Sequence, residues 1–138
     1  MAAKLGIIAG GGALPRMVID ACLAKSREIH VFAIEGQAEA ATVDGVPHDW
    51  VRLGAAGTAL KRAQELAIRE IVMAGSVQRP SLASLRPDWK TMSFIMRIGK
   101  KGFGDDGILR HVVDAIEEEG FKVVGPDSLL DDMKVETG

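Results

Sequence analysis

The sequence predicts an α/β domain with a mostly parallel sheet, and three observations predict it. A short apolar run, Lys4 to Ala9, breaks into three consecutive glycines and then into a helix-like pattern. A second apolar run rich in β-branched residues, Glu28 to Glu35, follows within one helix length. The alternation recurs downstream, where Glu70-Ile71-Val72-Met73-Ala74-Gly75 and Phe121-Lys122-Val123-Val124-Gly125 each follow a helical pattern. Strands that alternate with helical patterns make βαβ units, whose crossovers are right-handed. The result is a Rossmann-like three-layer domain.

The first strand ends in Gly10-Gly11-Gly12-Ala13-Leu14-Pro15. Glycine lacks Cβ, so it reaches φ > 0 and lets a ligand come close to the backbone. Pro15 sits where a first helical turn leaves an N–H unpaired in any case. Backbone N–H groups and the positive end of a helix then converge on the loop, which suits a phosphate; the alternative is a tight turn that binds nothing. Leu14, Met17, Val18, Ala21 and Cys22 recur at helical spacing and predict a helix over residues 14–25, with Cys22 in the core. Residues 36–49 read as loop, and residues 48–53 as a short strand at an edge of the sheet.

Gly54 and Gly57 open a second helix, Thr58 to Ile68, with Leu60, Ala63, Leu66 and Ala67 turned inward. The strand over residues 70–75 runs into Gly75-Ser76-Val77-Gln78-Arg79-Pro80, on the same sheet edge as the glycine turn. Open α/β sheets bind ligands beyond the carboxyl ends of their strands. Residues 79–102 then carry six cations against Asp88 alone, a net of +5, interleaved with Trp89, Met92, Phe94, Ile95, Met96 and Ile98. Trp89, Met92 and Met96 share a helical face. This is either a buried helix with a basic rim or a partly open surface for something anionic and greasy. Ile108, Leu109, Val112, Val113 and Ile116 form the stripe of a late helix, capped by Asp105 or Asp106 and stopped by Gly120.

Composition narrows the function. The 138 residues carry 17 Lys and Arg against 19 Asp and Glu, a net charge of −2, which argues against a general polyanion binder and against nucleic acid. One cysteine permits no intramolecular disulfide. No basic leader precedes a long apolar stretch, so a cytoplasmic domain is expected. A dinucleotide fingerprint matches at Gly10 and Gly12 and fails where Pro15 stands for the third glycine, although Glu35 falls where a ribose-binding acid belongs. Three scattered histidines form no constellation, and no nucleophile triad, zinc spacing or Walker lysine is present.

The opening Ile8-Ala9-Gly10-Gly11-Gly12-Ala13-Leu14-Pro15, the loop Gly75 to Pro80, the helix start Gly104-Asp105-Asp106-Gly107-Ile108-Leu109 and the end Gly125-Pro126-Asp127-Ser128-Leu129-Leu130 occur in one order and spacing. Together they resemble the amino-terminal domain of the LpxI family, the UDP-2,3-diacylglucosamine pyrophosphatases of lipid A synthesis. The resemblance implies Mg2+-dependent hydrolysis of UDP-2,3-diacylglucosamine to UMP and 2,3-diacylglucosamine 1-phosphate at the cytoplasmic membrane face. It also implies that residues 1–130 form a substrate-binding domain and residues 131–138 begin a linker. A carboxy-terminal catalytic domain would then follow and hold the metal. The residues expected to touch substrate are Gly10, Gly11, Gly12, Gly75, Ser76, Arg79, Arg97 and Lys100, with no catalytic or metal-ligating residue in this stretch. The expected partners are that substrate, the catalytic domain and the inner-membrane surface in a peripheral role. A nucleotide- or NAD-binding module without hydrolytic action is the rival reading, and a packing domain that binds nothing is a third.

Overall fold

A computed structural model describes residues 4–77, 87–93, 96, 108–127 and 129–130. Five strands, β1 (Leu5–Ala9), β2 (Ile29–Ile34), β3 (His48–Val51), β4 (Glu70–Ala74) and β5 (Lys122–Val124), form one sheet in the order β3-β2-β1-β4-β5. Every neighbouring pair is parallel. The chain starts in the middle, winds outward to β3 and then crosses back to β4, so its topological switch point lies between β1 and β4. The edge position expected for the strand at residues 48–53 is the one β3 holds.

Alternation along the strands divides the core. One face of the sheet contributes Leu5, Ile7, Ala9, Val31 and Val72, packed with Val18, Ile19 and Cys22 of α1 (Leu14–Ala24). The other contributes Phe32 and Ile71, packed with Ala63 of α2 (Ala56–Glu65), Ile68, Phe121 and Ile116 of α3 (Ile108–Glu118). These are three layers. Central strands buried on both faces read as continuous apolar runs, which is the pattern of β2. Each fully buried side chain such as Leu5, Ile7 or Val31 contributes about 1.5–3 kcal/mol.

The helix ends correct the sequence reading. α1 stops at Ala24 because Ser26 takes φ 56° and the Arg27 N–H donates to Cys22 O at 3.0 Å. The same closure ends α2: Ala67 takes φ 61° and the Ile68 N–H donates to Ala63 O at 3.0 Å. Ala67 is therefore exposed, and Ile68 takes the inward place expected of it. α2 also begins two residues before Thr58. Within the loop at residues 36–49, Ala40–Val43 form a 3-10 turn that buries Thr42 and Val43. Arg16 fastens this turn to α1, donating to Thr42 O at 3.3 Å and Asp44 O at 2.8 Å. Gly120 stops α3 with φ 98°, as expected. Lys90 pairs with Glu119, which offsets part of the acidic run at that helix end.

His30 and Asp49 join the strands to α2 on the amino-terminal half of the sheet. The buried His30 Nε2 lies 3.1 Å from Asp49 Oδ2, and Arg62 Nε of α2 donates to the same oxygen at 2.9 Å. A carboxylate only accepts, so Nε2 carries the imidazole proton. Burial holds the His30 pKa below the ordinary histidine value, outweighing the upward pull of Asp49; Lys4 and Arg62 add to the lowering. Burial would raise Asp49, but hydrogen bonds from Arg62 and His30 outweigh it and hold that carboxyl low. A histidine with a lowered folded pKa takes up protons less readily folded than unfolded. Its contribution is therefore complete above the unfolded value of about 6.5 and shrinks as pH falls below it. Urea denaturation should show a stability decline from about pH 7.5 to 5.5 that His30→Gln flattens. An equal decline in the variant would assign the effect to other groups.

Candidate functional site

Loops at the carboxyl ends of β1, β2 and β4 meet over the switch point. The Gly11 N–H donates to Ser76 O at 2.7 Å and the Ser76 N–H donates to Gly11 O at 3.0 Å, a small antiparallel bridge. The Gly10 N–H donates to Ala74 O at 2.8 Å. So close an approach requires glycine: a Cβ on Gly10 would lie 2.4 Å from Ser76 O, and one on Gly11 would lie 2.9 Å from Gln37 O. Gly75 has φ 98°, and its Cβ would lie 2.7 Å from Gly11 O and 2.8 Å from Pro15 Cγ. These three glycines are packing devices.

Not every amide of the loop is open to a ligand. The Gly10 and Gly11 amides are spent on β4 and its loop. The N–H groups of Gly12, Ala13 and Leu14 have no hydrogen-bond partner among the described residues. Gly12 has φ 89°, is exposed, and has no described residue within 4 Å of where a Cβ would stand. Ala13 provides no side-chain cap, and the first turn of α1 holds no acid. The positive end of α1 is thus uncompensated by any side chain of its own. Of the expected substrate contacts, Gly10, Gly11, Gly12, Gly75 and Ser76 come together at this edge. Arg79, Arg97 and Lys100 lie outside the described residues, as do Asp105 and Asp106.

The loop departs from the NAD fingerprint. In the dinucleotide fingerprint the second glycine lets the pyrophosphate approach, and the third lets helix and strand pack closely. Here the crevice is bridged by Gly11 and Ser76, and buried Pro15 packs against Gly75 in place of the third glycine. Glu35 does close β2 on the same edge, where its N–H donates to Val51 O at 2.8 Å. Among the described residues no three His, Cys, Asp or Glu side chains converge as a metal site. Burial pushes the Cys22 thiol pKa up, which makes it a core residue rather than a nucleophile.

In the basic segment, Trp89 is 84% exposed, Met96 75% and Met92 38%. The shared face is therefore open, not buried. Sequence reasoning missed Asp88, which it counted only as a counter-charge. Its carboxylate accepts from the Thr91 N–H at 2.8 Å and from the Thr58 N–H at 3.3 Å. No described helix is long and apolar enough to cross a membrane.

Comparison with known proteins adds the following. A family model described as the LpxI N-terminal domain matches residues 4–133. The UDP-2,3-diacylglucosamine pyrophosphatase LpxI of Caulobacter vibrioides is 33% identical over 98% of this chain and 48% of its own length. The chain thus spans about half of that relative. Among solved structures, the Bordetella bronchiseptica enzyme WbmG in complex with NAD superposes with a TM-score of 0.57 at 14% identity, covering 91% of this chain and 37% of its own. The Thermus thermophilus UDP-glucose 4-epimerase complex with NAD gives a TM-score of 0.52 at 14% identity, covering 85% and 34%. At such identities the likeness is one of fold.

Proposed function

Because this chain belongs to the LpxI family, we propose that it is the substrate-binding domain of a UDP-2,3-diacylglucosamine diphosphatase, releasing UMP and 2,3-diacylglucosamine 1-phosphate at the cytoplasmic face of the inner membrane. The match over residues 4–133 to the family's amino-terminal domain is the observation that carries this reading. Hydrolysis at phosphorus needs the charge on the phosphate oxygens neutralised and a water aligned for attack. In this reading the amides of Gly12, Ala13 and Leu14 take the diphosphate, at the helix end that has no carboxylate of its own. Arg79, Arg97 and Lys100, outside the described residues, are the cations expected to match its charge. Trp89, Met92 and Met96 offer the acyl chains an exposed apolar face.

Mg2+ would supply charge neutralisation and an activated water. In this reading its ligands come from a carboxy-terminal domain. This chain's own task is then to bind and orient the substrate. Calorimetric titration with UDP-2,3-diacylglucosamine in mixed micelles and, separately, with NAD tests the assignment. Saturable heat with the lipid-linked nucleotide and none with NAD is expected. The reverse result would turn the domain into a dinucleotide module.

A further inference from the structure

We propose that Asp88 is a latch that seats the segment bearing Trp89, Met92 and Met96 on the start of α2 by capping two helices with one carboxylate. α2 starts after Ala55, whose side chain cannot cap it, and without an acid in its first turn. Two of its orphan N–H groups are satisfied from 30 and 35 residues downstream. Asp88 Oδ2 accepts from Thr58 N–H at 3.3 Å, and Thr91 Oγ1 accepts from Ala56 N–H at 3.1 Å. Residues 89–93 are helical, and for this second helix Asp88 is an ordinary N-cap, its Oδ1 accepting from Thr91 N–H at 2.8 Å. The Asp88 N–H donates to Gly54 O at 2.7 Å and closes the seam.

The two positive helix ends therefore face one anion, which serves both. The seam has no slack: a Cβ on Gly57 would lie 2.8 Å from Lys90 Cβ and 3.1 Å from Asp88 Oδ2. Thr91 is buried in it, while Trp89 and Met92 point away. Burial would raise the Asp88 pKa, yet the hydrogen bonds from Thr91, Thr58 and Gly57 outweigh it, so the carboxyl stays ionised well into acid. α2 begins at the carboxyl edge of the sheet, just past β3, and the latch holds Asp88 and Thr91 against that helix start. Pulling the segment off would uncap α2 as well, so segment and body are coupled.

Asp88→Asn keeps the shape and removes the charge, leaving one good acceptor where two are needed. Hydrogen exchange read by mass spectrometry is expected to quicken at Gly57, Thr58 and Thr91 by about five- to tenfold, with the amides of β1, β2 and β4 unchanged. Gly57→Ala attacks the seam from the other side and should loosen the amides at residues 88–93 in the same way. Unchanged exchange in both variants overturns the latch, as does a uniform rise that includes the central strands. The assay uses no ligand, so its outcome is independent of the substrate assignment.

Discussion

Gly75→Ala is expected to lower the melting temperature of the protein by roughly 10 °C or more, although only one methyl is added. Two costs coincide. The φ of 98° is one that a residue with Cβ adopts at a penalty of about 1–2 kcal/mol. The new Cβ would also meet Gly11 O at 2.7 Å, Pro15 Cγ at 2.8 Å and Gly10 C at 2.9 Å, and backbone atoms on a packed loop cannot swing aside. Such overpacking costs about 1–3 kcal/mol. The sum is a large share of a domain's net stability of about 5–15 kcal/mol. Gly12→Val is the counterpart. Its φ of 89° carries the conformational penalty alone, since no described residue stands within 4 Å, so the fold should survive. Its side chain would stand beside the Gly12, Ala13 and Leu14 amides, and in the proposed reading the full-length protein should lose UDP-2,3-diacylglucosamine hydrolysis. Thermal unfolding and UMP release, measured on both variants, separate the two roles. Equal melting temperatures for the two would refute the division between packing and ligand glycines, and near-normal turnover by Gly12→Val would make the loop a turn only.

That division was not legible in the sequence. Four strands and three helices could be read from apolar runs and their periods, because central strands buried on both faces, such as Ile29–Ile34, leave little ambiguity. The short β3 could be placed at an edge, because its polar and apolar residues are mixed. Helix ends were harder. Gly120 announces the end of α3, but α1 and α2 end through Ser26 and Ala67 in positive φ, and neither residue type signals such a turn. The consecutive glycines read as one ligand loop because pattern cannot tell whether the missing Cβ makes room for a phosphate or for another strand's carbonyl. Only the Gly11–Ser76 bridge decides that, and it joins residues 65 positions apart. Asp88 escaped for the same reason. Its nearer partner helix is visible in sequence, but the helix it caps across the fold begins at Ala56.

With magnesium and UDP-2,3-diacylglucosamine, this 138-residue chain alone is expected to fold and to release no UMP above a no-protein control. Folding follows from a sheet covered on both faces, with Leu5, Ile7, Val31, Val72 and Val18 fully buried. Inactivity follows from the chemistry of the acids. A hydrolytic magnesium site needs several oxygen ligands on one cation, and no three titratable ligands converge among the described residues. The acids that the fold does bring into contact are already committed. Asp49 is held by His30 and Arg62, Asp88 by two helix ends, Glu70 by Arg27 and Asp20 by Arg16. Recruiting any of them to a metal would break a bond that the fold uses. Asp105 and Asp106, outside the described residues, are adjacent in sequence. Addition of the carboxy-terminal half in trans should restore turnover if substrate is held between the two. Magnesium-dependent release of UMP by the chain alone would overturn this division of labour, and Asp105→Asn and Asp106→Asn would then be the first variants to make.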